Sequence, residues 1–72
     1  MSNIQSIIFK LGPPYNWNIS ESKNWLRSHN FIYKKVDITS NYLRFRQFYP
    51  KKEYNYITKK ISNGISLIIL VP

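Results

Sequence analysis

The residues with most chemical content lie in one short run, Tyr42-Leu43-Arg44-Phe45-Arg46-Gln47-Phe48. Side chains alternate across a strand, so Arg44 and Arg46 share one face with Tyr42 and Phe48, while Leu43 and Phe45 take the other. Planar guanidinium groups beside exposed rings suit phosphates and unstacked bases, the combination used by single-strand binders. The structural alternative is that both arginines pair with carboxylates on neighbouring strands and that Tyr42 is a cross-strand packing residue. The chain holds only three acidic residues, so such partners are few, and an exposed basic face is the expectation. The run is not an RRM signature, because the glycine expected after the basic residue is missing.

A second cluster, Lys51, Lys52, Lys59 and Lys60, surrounds the next apolar segment. Lys59 and Lys60 either guard an edge strand against pairing with other chains, or the cluster extends the arginine face. Tyr54 and Tyr56 fall on the same side as Lys60, so aromatic and basic residues interleave again. Arg44, Arg46, Tyr42, Phe48, Lys51, Lys52, Tyr56 and Lys60 together form the candidate nucleic-acid-binding set.

Catalysis is not expected. General acid–base work needs a titratable pair in one site, and the chain offers one histidine and three carboxylates. Glu21 suits a helix cap, Asp37 suits local hydrogen bonding at a strand end, and Glu53 lies beside two lysines. A phosphate-cradling glycine loop cannot be built from Gly12 and Gly64 alone. His29 has no companion ligands, so no metal and no cofactor is expected; it reads as a partly buried residue at a helix end.

The elements that position these residues follow from local signals. Ile4–Phe9 is a strand, ended by Gly12-Pro13-Pro14. Asn18-Ile19-Ser20-Glu21 has the form of a capping box, with Asn18 accepting from the Glu21 amide. Ser22, Trp25, Leu26 and His29 then fall on one helical face. Asn30 is placed to stop the helix in the left-handed conformation, giving a helix over roughly 18–29. From Phe31 the period is two: Phe31–Ile38 and Tyr42–Phe48 read as a hairpin around Thr39-Ser40-Asn41. Tyr54–Ile61 and Ile65–Val71 read as a second hairpin, closed by Asn63-Gly64. Ile65–Val71, apolar on both sides except at Ser66, is placed centrally in the sheet. The expected fold is α+β, one helix on one face of a mostly antiparallel sheet, in the order β-α-β-β-β-β and forming one small domain over residues 1–72.

These elements resemble a small domain of unknown function from phages and large DNA viruses. The resemblance rests on Ile4-Gln5-Ser6-Ile7-Ile8-Phe9, Trp17, Glu21, Trp25-Leu26 with His29, Phe31, Lys35-Val36-Asp37, Asn41-Tyr42-Leu43-Arg44-Phe45-Arg46-Gln47 and Gly64-Ile65. It covers nearly the whole chain. Two departures are visible: Asn30 stands where relatives usually have glycine, and the loop Leu11–Asn16 is longer. The resemblance implies a viral source, inside the infected host cell or packaged in the virion. It implies no activity.

Composition bounds the rest. A 72-residue chain without cysteine has no disulfide or cysteine–zinc staple, and a domain this small buries only about 60% of its unfolded surface. Twelve aromatics and eleven isoleucines, with no alanine, supply large core side chains instead. The formal charge of +8 falls wholly after residue 22, where ten basic residues meet Asp37 and Glu53. No apolar run reaches the ~18 residues of a membrane helix, and no signal-peptide pattern opens the chain, so a soluble intracellular protein is expected. The charge favours a non-enzymatic module binding DNA or RNA electrostatically with little sequence specificity. The alternative is a protein-interaction or virion-associated module with an acidic viral protein partner, since Tyr, Trp and Arg dominate interface hot spots. A membrane surface fits less well, because no strongly amphipathic basic helix is present.

Overall fold

The computed structural model describes residues 3–71. The chain forms β1 (Ile4–Lys10), α1 (Ile19–Ser28), β2 (Asp37–Ile38), β3 (Tyr42–Arg46), β4 (Asn55–Ser62) and β5 (Ile65–Val71). All pairings are antiparallel, and the five strands lie in the order β2-β3-β1-β5-β4. This is the α+β arrangement expected from the element order.

The helix follows its local signals closely. Asn18 Oδ1 accepts from the Glu21 amide at 2.8 Å. At the other end Asn30 is left-handed, with φ 62°, and the Phe31 amide donates back to the Leu26 carbonyl at 2.9 Å. That fold-back satisfies a carbonyl left free by the last turn.

Ile7 and Phe9 of β1, Leu43 and Phe45 of β3 and Ile65 of β5 share one face, because Ile7 pairs with Phe45 and Phe9 with both Leu43 and Ile65. Leu26 from α1 joins them in a fully buried cluster. Phe9 sits at its centre: the rings of Trp17, Trp25 and Phe45 approach it edge-on at 5.0, 5.6 and 5.6 Å. Edge-to-face packing at these distances adds to simple area burial, and large rings compensate here for small size.

Four expectations require correction. The central strand is β1; β5 is interior but lies between β1 and the edge strand β4. Residues 31–36 are not strand: β2 is only Asp37–Ile38. The reason is a side chain acting as a strand partner. Gln47 Oε1 accepts from the Ile32 amide and its Nε2 donates to the Ile32 carbonyl, both at 2.9 Å. Phe31, Tyr33 and Val36 pack instead against the rim of the core. Next, β3 ends at Arg46 and β4 begins at Asn55, so Phe48 and Tyr54 stand outside the strands. Finally, His29 is exposed, stacked on Trp25 at 3.8 Å with Nδ1 2.7 Å from the Trp25 carbonyl oxygen.

The loop between β1 and α1 reaches across to the β4–β5 turn. Trp17 Nε1 donates to the Asn63 carbonyl at 2.6 Å, and the Lys10 amide donates to the Gly64 carbonyl at 3.0 Å. Asn63 and Gly64 both have positive φ, 48° and 79°, as a tight two-residue hairpin turn requires.

Candidate nucleic-acid interface

The sheet has two faces, and the one helix among the described residues covers only one of them. Directly paired residues point to the same side, so the register defines what the other side carries. Tyr42, Arg44 and Arg46 stand opposite Lys10, Ile8 and Ser6. Ile8 and Ser6 stand opposite Ser66 and Ile68. Ser66, Ile68 and Leu70 stand opposite Lys60, Thr58 and Tyr56. Across the open face, therefore, arginines on β3 and a lysine on β4 flank a half-buried apolar stripe of Ile8, Ile68 and Leu70. With strands ~4.8 Å apart, β3 and β4 lie about 14 Å from each other.

The basic residues form two clusters at opposite ends of this face. At one end Lys10 and Lys60, both exposed, line a cavity of about 160 Å³ with Tyr15 and Ser66. Tyr42 stands at the same end, beside Lys10. At the other end are Arg46, Tyr56 and the loop bearing Lys51 and Lys52. The Tyr56 hydroxyl accepts from the Lys51 amide at 2.6 Å, tying that loop to β4. Lys51 Nζ in turn lies 5.8 Å from the Tyr54 ring centroid. Lys59, one residue from Lys60, points to the opposite side of the sheet, opposite Leu67. β4 is an edge strand of the sheet.

The two arginines differ from free surface cations. Arg44 Nε donates to Ser6 Oγ at 3.1 Å and Nη2 to Gln5 Oε1 at 3.0 Å. Gln5 is itself buried, and its Nε2 donates to the Phe48 carbonyl at 2.6 Å. Part of the guanidinium is thus committed to ordering β1 against β3. Arg46 lies 3.7 Å from Asp37 and 4.7 Å from the Tyr49 ring centroid. Asp37 is therefore not confined to local turn bonding but forms a cross-strand ion pair. The pair is solvent-exposed, and such pairs contribute roughly 0–1 kcal/mol. It orients Arg46 without neutralising the face.

Of the eight residues read from the sequence, Tyr42, Arg44, Arg46, Tyr56 and Lys60 are on the open face by register, and Lys51 and Lys52 border it. Phe48 is displaced from the strand into a side cleft with Ile32, Lys34, Lys35, Arg46, Gln47 and Tyr49. Lys10 and the apolar stripe were not singled out. Strand alternation in β1 puts Lys10 on the side of Ser6 and Ile8, but only the pairing order reveals that this side is the uncovered one.

Among the described residues no group of three His, Cys, Asp or Glu side chains is placed to hold a metal ion. Among the described residues no helix is long and apolar enough to cross a membrane. No family model, curated protein or solved structure matches this chain.

Proposed function

We propose that this protein is a non-enzymatic viral module that binds single-stranded nucleic acid through the uncovered face of its sheet. The observation that carries the reading is the composition of that face: Lys10, Arg44, Arg46 and Lys60 with Tyr42 and Tyr56, and the carboxylate of Asp37. Cations would meet phosphates and the tyrosine rings would meet unstacked bases. Affinity of this kind is largely electrostatic and tolerant of sequence. The viral source rests on the sequence resemblance, with the protein acting in the infected host cell or carried in the virion.

Half-buried Ile8, Ile68 and Leu70 in the middle of the face favour a second reading, an acidic viral protein docked on the sheet. Such a partner would bury the apolar stripe and pair its carboxylates with the flanking cations.

Mobility-shift titrations with single- and double-stranded DNA and RNA at several salt concentrations separate the two. Retardation of single strands at low salt, weakened about tenfold by Lys10→Ala with Lys60→Ala, is the expected result. Absence of retardation for every nucleic acid at low salt would remove the first reading. Recovery of an acidic protein that survives nuclease treatment would then favour the second.

A further inference from the structure

The cleft beside β3 is a second feature of the basic surface, distinct from the uncovered sheet face. It has a volume of about 310 Å³ and lies between the connection from α1 to β2 and the turn after β3. Its walls are largely apolar, built from Ile32, Phe48 and Tyr49, and its cations are Lys34, Lys35 and Arg46. One wall is rigidly tied: the Gln47 amide holds both backbone groups of Ile32 at 2.9 Å, and the Gln47 backbone amide donates to the Gln5 carbonyl at 2.7 Å. Tyr49 is 69% exposed, although Arg46 lies over its ring. An aromatic left that open beside an apolar hollow has surface available for a flat partner.

Resting on the nucleic-acid reading, we propose that this cleft receives one unstacked base of a bound single strand, with its phosphate met by Lys34, Lys35 and Arg46. Three lines converge on that occupant. The volume is at the small end for ligand sites, which suits a nucleotide-sized group. The cations lie around an apolar hollow, so an anionic group attached to a flat apolar one is complementary, whereas phosphate alone would leave the hollow unfilled. Arg46 belongs to both regions, since it stands on the open face opposite Ser6 and also lines the cleft. A strand lying on the sheet can therefore turn a base into the cleft without leaving the basic surface.

The test is fluorescence anisotropy with three labelled probes: an oligothymidylate, an abasic oligomer of the same length, and poly-glutamate. Each is titrated with the natural chain, Tyr49→Ala, the double variant Lys34→Ala/Lys35→Ala, and Lys60→Ala. The abasic oligomer is expected to bind at least tenfold more weakly than oligothymidylate. Tyr49→Ala should weaken oligothymidylate by about tenfold and leave the abasic probe nearly unchanged, because stacking on an aromatic is worth roughly 1–3 kcal/mol per base. The double lysine variant should weaken both oligomers. Because Tyr49 is exposed, its removal should leave the circular dichroism spectrum unaltered.

Oligothymidylate binding that ignores Tyr49→Ala and weakens only with Lys60→Ala would overturn the cleft while leaving the sheet-face reading intact. Equal affinity for abasic and normal oligomers would overturn the cleft and the stacking role of Tyr42 and Tyr56, leaving only electrostatic contact with the sheet-face cations. Tyr49-dependent binding of poly-glutamate with no binding of either oligomer would overturn both and place an acidic peptide in the cleft.

Discussion

Arg44 reaches across the strand interface to Gln5, its Nη2 donating to Oε1 at 3.0 Å, while Gln5 holds the Phe48 carbonyl through its other amide atom. One pair of side chains thus links β1, β3 and the turn that follows β3. A residue that reads from sequence as a ligand-binding cation is also a structural one.

Arg44→Ala should therefore lower stability as well as any affinity. It leaves buried Gln5 Oε1 with only the Ser6 hydroxyl, at 2.5 Å, and loses two charged hydrogen bonds, to Gln5 and to Ser6. The expected cost is about 1–3 kcal/mol, measured by urea denaturation. Lys10→Ala and Lys60→Ala, at exposed positions, should change stability by less than about 0.5 kcal/mol. These lysines are the cleaner probes of binding.

Gly64 is fixed by two independent constraints. Its φ is 79°, and a Cβ built on it would meet Tyr15 Cγ at 2.5 Å. Gly64→Ala should cost more than the ~1 kcal/mol of left-handed strain alone. In a Tyr15→Ala background the ring is gone and only the residue-15 Cβ, 2.9 Å away, still crowds the site, so the same substitution costs less. A double-mutant cycle by thermal or urea unfolding reads this coupling, and additive effects would show that the ring simply moves aside.

Asn30 occupies the helix stop at φ 62°, a region where glycine carries no side-chain penalty. Asn30→Gly should keep the fold-back bond from Phe31 to Leu26 and stabilise modestly, by up to about 1 kcal/mol. A small rise in the thermal midpoint is the expected readout.

Phe9 is buried and contacted edge-on by three rings. Phe9→Ala should cost about 3–5 kcal/mol, a large share of what a chain this short can hold at ~0.05–0.15 kcal/mol per residue. Loss of a cooperative unfolding transition is expected. Phe9→Leu should stay folded with a lowered midpoint and altered tryptophan fluorescence.

What could be read from the sequence was what local chemistry decides. Asn18, Glu21 and Asn30 mark the helix because caps act within one turn, and Asn63-Gly64 marks the hairpin because only a few residue pairs adopt its φ angles. What could not be read was non-local. Nothing in Ile4–Phe9 says that it lies between β3 and β5, and without that order Lys10 cannot be placed opposite Tyr42. Phe31 and Tyr33 do alternate with exposed Ile32 and Lys34, but the pattern breaks at exposed Lys35 and packed Val36, and the Gln47 side chain takes the backbone bonds of Ile32 that a strand would have supplied. The same displacement carries Lys34, Lys35 and Phe48 into a cleft that a regular hairpin would not contain.

Binding of single strands to the uncovered sheet face is tested most directly by amide chemical-shift mapping with a short oligothymidylate at low salt. Perturbations are expected at Ile8, Lys10, Arg44, Tyr56 and Lys60 on the open face, fading as salt rises, with the exposed side of α1 around Asn24 and Arg27 unmoved. Perturbations concentrated on α1, or none at any residue, would contradict binding to this face.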